Sequence, residues 1–288
     1  MHIKQAMLFP IRKSFTFPLF TPMLAGLLKK NPASRILRGI CPNHSFFSNR
    51  AIRTVKRGGL TFELRLNDYM DWLLYFHSDA DSSAPVLNYI KQDNVVLDIG
   101  GNIGQTALLM AKAVGPGGRV ISFEPFPETY NRFLTNLKLN PAIQNITVEN
   151  IALGDSHAKL KMRAENKGNS GQNRILNEEG PETALIEVEV MPLSSYLDNK
   201  PLPKIDLVKI DVEGFEYRVL KGAAGALQKY KPLLYIELSD KNLNQQGSSA
   251  NQVIELLHQL SYTVTDVATG KQLRDLSSGH TDVICNPA

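Results

Sequence analysis

The chain has 288 residues, 43% of them hydrophobic and 21% charged, a balance that supports a buried core and excludes a disordered or collagen-like chain. Two cysteines, Cys41 and Cys285, are too few for a disulfide framework or a cysteine-built metal centre, which fits reducing surroundings. The net charge of +4 conceals a division: residues 1–62 contain 11 Lys and Arg and no Asp or Glu, so the rest of the chain carries −7.

The basic leader comes first. Its apolar stretch, Phe15 to Leu28, is interrupted by Pro18 and Pro22 and falls short of the roughly 20 residues that a spanning helix needs. Lys4, Arg12 and Lys13 ahead of an apolar run are compatible with a secretory signal, but no convincing small-residue cleavage site follows Leu28; an acid-free start that carries Arg also suits an organellar transit peptide. Residues 1–60 equally suit peripheral contact with an anionic membrane. Phe15, Phe17, Phe20, Met23 and Leu24 would enter the interface while Lys29, Lys30, Arg35 and Arg38 meet lipid charge. The plainer alternative is an N-terminal subdomain whose apolar residues pack on the body. No recognisable module accompanies the charge, so no nucleic-acid partner is expected. The expected location is the cytoplasm, with membrane association or organellar targeting as alternatives, and the expected division is a basic extension over 1–60 and one domain over 61–288.

In the body, short β-branched runs alternate with helical periods, the signature of a parallel α/β sheet. Asn94 to Asp98 predicts a buried strand, followed by a Gly-rich turn and a helix from about Gly104 to Val114. Arg119 to Phe123 is the second strand; Tyr130, Phe133, Leu134 and Leu137 then share one helical face. Ile146 to Glu149 is the third strand. Lys159 to Arg163 and Leu185 to Val190 read as an antiparallel insertion around a loop of Gly, Asn and Glu. Ile205 to Ile210 and Leu233 to Glu237 are further strands, with a helix between them from about Phe215 to Lys229. Ser249 and Gln252 predict a capping box that opens a helix through Leu260. Tyr262 to Val267 and Asp282 to Cys285 close the sheet. The fold class is α/β: a doubly wound, mostly parallel, Rossmann-like sheet of seven strands, with ligands at the carboxyl ends of its strands.

Three strand ends carry the chemistry. The first strand runs into Asp98-Ile99-Gly100-Gly101-Asn102-Ile103-Gly104, where glycines permit a sharp turn and close approach of a ligand. The spacing departs from the G-x-G-x-x-G of dinucleotide enzymes, Asn102 standing where the backbone would admit a pyrophosphate, and the Asp98 carboxylate disfavours phosphate. Glu124 ends the second strand, where an acidic side chain accepts hydrogen bonds from ribose hydroxyls, and Pro125 stops the strand behind it. A ribose-bearing ligand without a pyrophosphate points to S-adenosylmethionine, with Ala152 in Asn150 to Gly154 facing the adenine. The fourth strand ends in Asp211-Val212-Glu213-Gly214-Phe215-Glu216. Two carboxylates there repel each other, a cost that function usually offsets, although acidic residues also favour a helix start. Asp211 is the first candidate for base or acceptor orientation, Glu213 the second, and Glu237 at the end of the fifth strand the third. His77 and the Gly168-Asn169-Ser170-Gly171 loop are weaker candidates for an acceptor-site cap. A metal shared by Asp211 and Glu213 lacks a His with secure spacing, so no metal is expected.

The segments VVLDIGGNIG (95–104), ISFEPFPETYNRFLTNLKLN (121–140), NIALGD (150–155), DLVKIDVEGFEYRVLKG (206–222) and LLYIEL (233–238) resemble the FkbM-type methyltransferase family, within the class I S-adenosylmethionine-dependent enzymes. Together they cover about half of the chain in the expected order. The family's first loop often has Ala where Gly101 stands here, a mild departure. The resemblance implies O-methylation of a hydroxyl, often on a sugar or natural product, and a small-molecule or glycan acceptor; it does not reach residues 1–60. A nicotinamide-dependent oxidoreductase would share the fold, but Asp98 and the missing pyrophosphate spacing count against it. A non-catalytic, membrane-associated member of the family is the other alternative.

Overall fold

The computed structural model describes residues 3–76, 85–163, 174–175, 185–276 and 279–288. They fall into two compact units, residues up to 76 forming the first and those from 85 onward the second.

The first unit contains helices α1 (Ile3–Ser14), α2 (Phe20–Lys30) and α3 (Arg35–Ile40), a hairpin of β1 (Ile52–Arg57) and β2 (Leu60–Arg65), and helix α4 (Tyr69–Phe76). Pro22 does not break the apolar run, because it lies in the first turn of α2, where a missing N–H has no intrahelical partner to lose. Ser34 caps α3 by accepting from the Leu37 N–H at 3.3 Å. Arg12 ties α1 to α3 by donating to the Gly39 carbonyl from Nε at 3.0 Å and Nη2 at 2.8 Å. In β2 the alternation buries Leu60, Phe62 and Leu64 on one face. The boundary expected after residue 60 falls inside β2, so the hairpin keeps both sides of it in one unit.

The second unit is built on a seven-stranded sheet of β3 (Val95–Ile99), β4 (Arg119–Phe123), β5 (Ile146–Glu149), β10 (Leu207–Ile210), β11 (Leu233–Ser239), β12 (Tyr262–Asp266) and β13 (His280–Pro287). Its order is β12-β13-β11-β10-β3-β4-β5, and β13 runs antiparallel to both of its neighbours while the remaining pairs are parallel. Every residue of β3 and β10 is buried, as expected for central strands covered on both faces. One face carries Leu97, Ile99, Ile121, Phe123, Val208, Ile210, Leu234 and Ile236 into a continuous core with α7 (Leu193–Asn199), α8 (Glu216–Tyr230) and α10 (Ala250–Gln259). On the other side α5 (Gln105–Val114) packs on β3 and β4. The predicted insertion forms a separate four-stranded sheet of β6 (Ala152–Leu153), β7 (Ala158–Arg163), β8 (Arg174–Ile175) and β9 (Leu185–Met191), with β7 and β9 antiparallel as expected. Ser249 caps α10 by accepting from the Gln252 N–H at 3.2 Å. Gln252 accepts from the Ser249 hydroxyl at 3.4 Å, so the reciprocal bond of a full capping box is replaced by a side-chain contact.

The turn after β3 leads directly into α5, and Gly104 caps that helix with φ of 87°. A Cβ on Gly104 would lie 2.3 Å from the ring of Phe133 in α6 (Pro127–Lys138). Gly104→Ala therefore combines a positive-φ penalty with overpacking and should lower unfolding free energy by about 2–4 kcal/mol. Gly225→Ala, in the exposed middle of α8 where a Cβ meets nothing within 4 Å, should instead raise it by about 0.5–1 kcal/mol. Denaturant titration of both variants checks the contrast.

Candidate active site

The strand order reverses direction between β3 and β10, and the loops after these strands touch at that switch point. A Cβ on Gly100, where φ is 94°, would lie 1.8 Å from the Asp211 carbonyl oxygen. The glycines of the first loop therefore serve the protein's own packing: Gly100 admits the Asp211 backbone, and Gly104 admits Phe133. That packing is a role which the sequence reading of a ligand-clearing turn did not include. The Gly100 and Gly101 N–H groups both donate to the Phe123 carbonyl at 3.0 Å, which fixes the loop against the end of β4.

Glu124 follows β4 and is buried, at 6% exposure. Its Oε2 accepts from the Asn102 N–H and its Oε1 from the Phe126 N–H, each at 2.9 Å. Burial pushes its carboxyl up to about 7, against those two N–H groups. Asn102 has φ of 48°, and its buried Oδ1 has no hydrogen-bond partner among the described residues. Asn150 donates from Nδ2 to the carbonyls of Glu124 at 2.8 Å and Pro125 at 3.0 Å, bracing the same turn. Ala152, two residues further on, pairs with Val190 in the second sheet and joins the apolar core.

Next to this turn lies a row of polar side chains that cross the sheet in register: Ser122, Asp98, Lys209 and Tyr235. Asp98 is fully buried, accepts from the Ser122 hydroxyl at 2.7 Å and faces Lys209 Nζ at 3.4 Å. Burial raises its pKa, with the ammonium and the hydroxyl opposing. Lys209 also donates to Asp211 Oδ2 at 3.1 Å and to the Gly100 carbonyl at 3.5 Å. Although burial disfavours its charge, Asp211 and Asp98 more than compensate, and the ammonium is held firmly protonated.

Asp211, just after β10, and Glu237, two residues before the end of β11, interact as a pair of acids. Burial alone would raise Asp211, but Lys209 and a hydrogen bond from Glu237 outweigh it and hold the carboxyl below its ordinary range. Burial and the Asp211 charge push Glu237 up to about 10. The pair therefore titrates as a unit, with the charge favoured on Asp211 and the proton on Glu237. Glu213, with φ of 53°, turns away from the helix start: its Oε2 accepts from Asn242 Nδ2 at 2.7 Å in α9 (Asp240–Gln245). Glu216 serves that start instead, its Oε1 accepting from the N–H groups of Val212 at 3.2 Å and Gly214 at 3.0 Å. Burial pushes Glu216 up to about 7 as well.

The sequence reading missed Lys209, Ser122, Glu216 as a loop clamp, and the trio Glu237, His280 and Asp282. These three each offer one ligand atom, all within 4.8 Å of one another, and so could accept a divalent ion. His280 Nε2 lies 3.2 Å from Glu237 Oε1, and Tyr235 donates its hydroxyl to Asp282 Oδ2 at 2.5 Å. The visible signal for Lys209 was a charge between Val208 and Ile210 in an otherwise apolar strand. His77 and the Gly168–Gly171 loop lie outside the described residues.

Comparison with known proteins bears on this arrangement. The family model for the methyltransferase FkbM domain matches residues 98–264, more than half of the chain. Methyltransferase 1 of Beauveria bassiana is 32% identical over 147 residues, which are 45% of this chain and 58% of that protein's length. A hexuronic acid methyltransferase of Haloferax volcanii, AglP, is 28% identical over 50% of this chain and 55% of its own. A 2-O-methyltransferase of Sinorhizobium fredii, NoeI, is 25% identical over 71% of this chain and 88% of its own. The family match begins at Asp98 and runs through Glu124, Asp211 and Glu237 to β12: the chain belongs to the FkbM-type methyltransferase domain family.

Proposed function

We propose that this chain binds S-adenosylmethionine across the loops after β3 and β4 and methylates a hydroxyl of a sugar, glycolipid or natural-product acceptor. The observation that carries the reading is the fixed Glu124 carboxylate beside the unpartnered Asn102 Oδ1. Each Glu124 oxygen is oriented by one backbone N–H and keeps lone pairs free, which suits the two hydroxyls of a ribose. Asn102 Oδ1 is a buried acceptor in want of a donor, and Asp98 adds negative charge beneath the same loop. The bound cofactor supplies an already activated sulfonium methyl group. A hydroxyl acceptor is favoured by the relative named for 2-O-methylation, and a sugar acceptor by the relative named for hexuronic acid methylation.

The chain then has two tasks, alignment and removal of the acceptor proton. Asp211, the ionised member of its pair, accepts the hydroxyl proton at its carboxylate as the acceptor oxygen forms its new bond. Lys209 keeps that carboxylate charged and fixed, and Glu237 orients it by donating its own proton. Glu213, tied to Asn242, shapes the loop beside them.

Two measurements test this. Protonation of Glu124 removes its capacity to accept from both ribose hydroxyls, so cofactor affinity should fall as pH drops below about 7 and level off above it. Glu124→Gln should weaken binding by roughly 1.5–3 kcal/mol and abolish that dependence. Calorimetry across pH reads both, and a variant with wild-type affinity and pH profile would remove Glu124 from the site.

Asp211→Asn should cut turnover by about 10² or more with a much smaller loss of cofactor affinity, because it removes the basic oxygen while Asp98 still faces the Lys209 ammonium. Glu237→Gln keeps a donor toward Asp211 and should cost less than about tenfold by the same reasoning. Transfer of labelled methyl to fractionated glycans, lipids and metabolites supplies the acceptor and the assay. Near-normal turnover of Asp211→Asn excludes it as the base.

A further inference from the structure

Helix α2 presents two apolar faces. Thr21, Leu24 and Leu28 are buried at the i, i+3, i+7 spacing of a helix packed into its unit. Phe20, Met23 and Leu27 repeat the same spacing one residue earlier, and they are 41%, 50% and 40% exposed. Phe17 and Leu19, which lead into the helix, are exposed by 58% and 79%. A helix on the surface of a soluble unit normally turns polar residues outward. This one does not. All but two of the exposed large apolar residues among the described ones, Leu139 and Ile186 being the exceptions, lie in the first unit.

Charge accompanies the exposed face. Lys29 and Lys30 close α2 and both are exposed, as is Lys13 at the end of α1. No acidic residue occurs anywhere in residues 1–62. Apolar side chains rimmed by exposed lysines match an anionic lipid surface, which offers a hydrocarbon layer beneath a layer of negative headgroups. The helix has 11 residues, and no described helix is long and apolar enough to cross a membrane, so the matching geometry is one lying in the interface plane.

We propose that the outward face of α2, Phe20, Met23 and Leu27 with Lys29 and Lys30, docks the protein peripherally on an anionic bilayer. The proposal is independent of the catalytic reading, since it uses none of the residues of the second unit.

Sedimentation of the full chain with vesicles tests it. The protein should partition onto phosphatidylcholine vesicles containing phosphatidylglycerol and remain free with phosphatidylcholine alone, and added salt should release it. The triple variant Phe20→Ser, Met23→Ser, Leu27→Ser and the separate double variant Lys29→Glu, Lys30→Glu should each lower partitioning at least tenfold. The changed positions are exposed, so melting temperature and cofactor affinity should stay at wild-type values. The charge variant keeps the test valid if the triple variant fails to fold. Absence of binding to anionic vesicles, or binding that neither variant weakens, overturns the proposal. So does a lipid-free dimer that the triple variant converts to monomer, because the face would then be a contact between copies of this chain.

Discussion

One buried ammonium group organises the carboxyl ends of the central strands. Lys209 Nζ reaches Asp98 at 3.4 Å, Asp211 at 3.1 Å and the Gly100 carbonyl at 3.5 Å while the residue is only 8% exposed. An isolated cation at that depth would cost several kcal/mol, and a fully buried carboxylate such as Asp98 would cost as much; each makes the other tolerable. Because the three charges sit on two adjacent strands and their loops, the cation also fixes the distance between the loop that holds Asn102 and the one that holds Asp211. The proposed cofactor and acceptor sides of the site share one electrostatic anchor.

That anchor explains the behaviour of the carboxylates around it. With one cation between Asp98 and Asp211, and with Glu237 close by, not every acid in the group can ionise. Lys209 lies against Asp211, which favours the charge there, while burial and the Asp211 charge push the Glu237 carboxyl upward. Asp211 thus owes its charge to one neighbour and its orientation to another. A base of this kind is weak in isolation, and its usefulness depends on placement more than on proton affinity.

Much of this was legible in the sequence, and the rest was hidden for identifiable reasons. Strand ends and turns are local, so Asp98, Glu124, Asp211 and Glu237 could be placed at the carboxyl edge of a parallel sheet from runs such as VVLD and DLVKID alone. Lys209 could not, because its burial depends on a register that sets it opposite Asp98 from more than a hundred residues away. His280 and Asp282 reach the Glu237 strand end only through the antiparallel pairing of β13, which no spacing in the chain announces. The glycines were legible as a turn, but the atoms that fill the space they leave, the Asp211 carbonyl and the Phe133 ring, come from other elements. The partner of Glu213 was hidden as well, because its positive φ and its bond to Asn242 in α9 are details of loop geometry and tertiary packing.

The row Ser122, Asp98, Lys209 and Tyr235 has a consequence for how the sheet assembles. Parallel strands rich in Val, Ile and Leu can slide past one another with little loss of apolar contact, so such sheets are poorly specified by hydrophobicity alone. Side chains alternate between faces, and a slip of one residue in β10 would carry the Lys209 ammonium to the face lined by Leu97, Ile99, Ile121 and Phe123. A slip of two would keep the face but part Lys209 from Asp98. Either error strands a charge in a dry interior, at a cost on the order of 3–5 kcal/mol. The polar row thus acts as a key that only one alignment of the strands can turn.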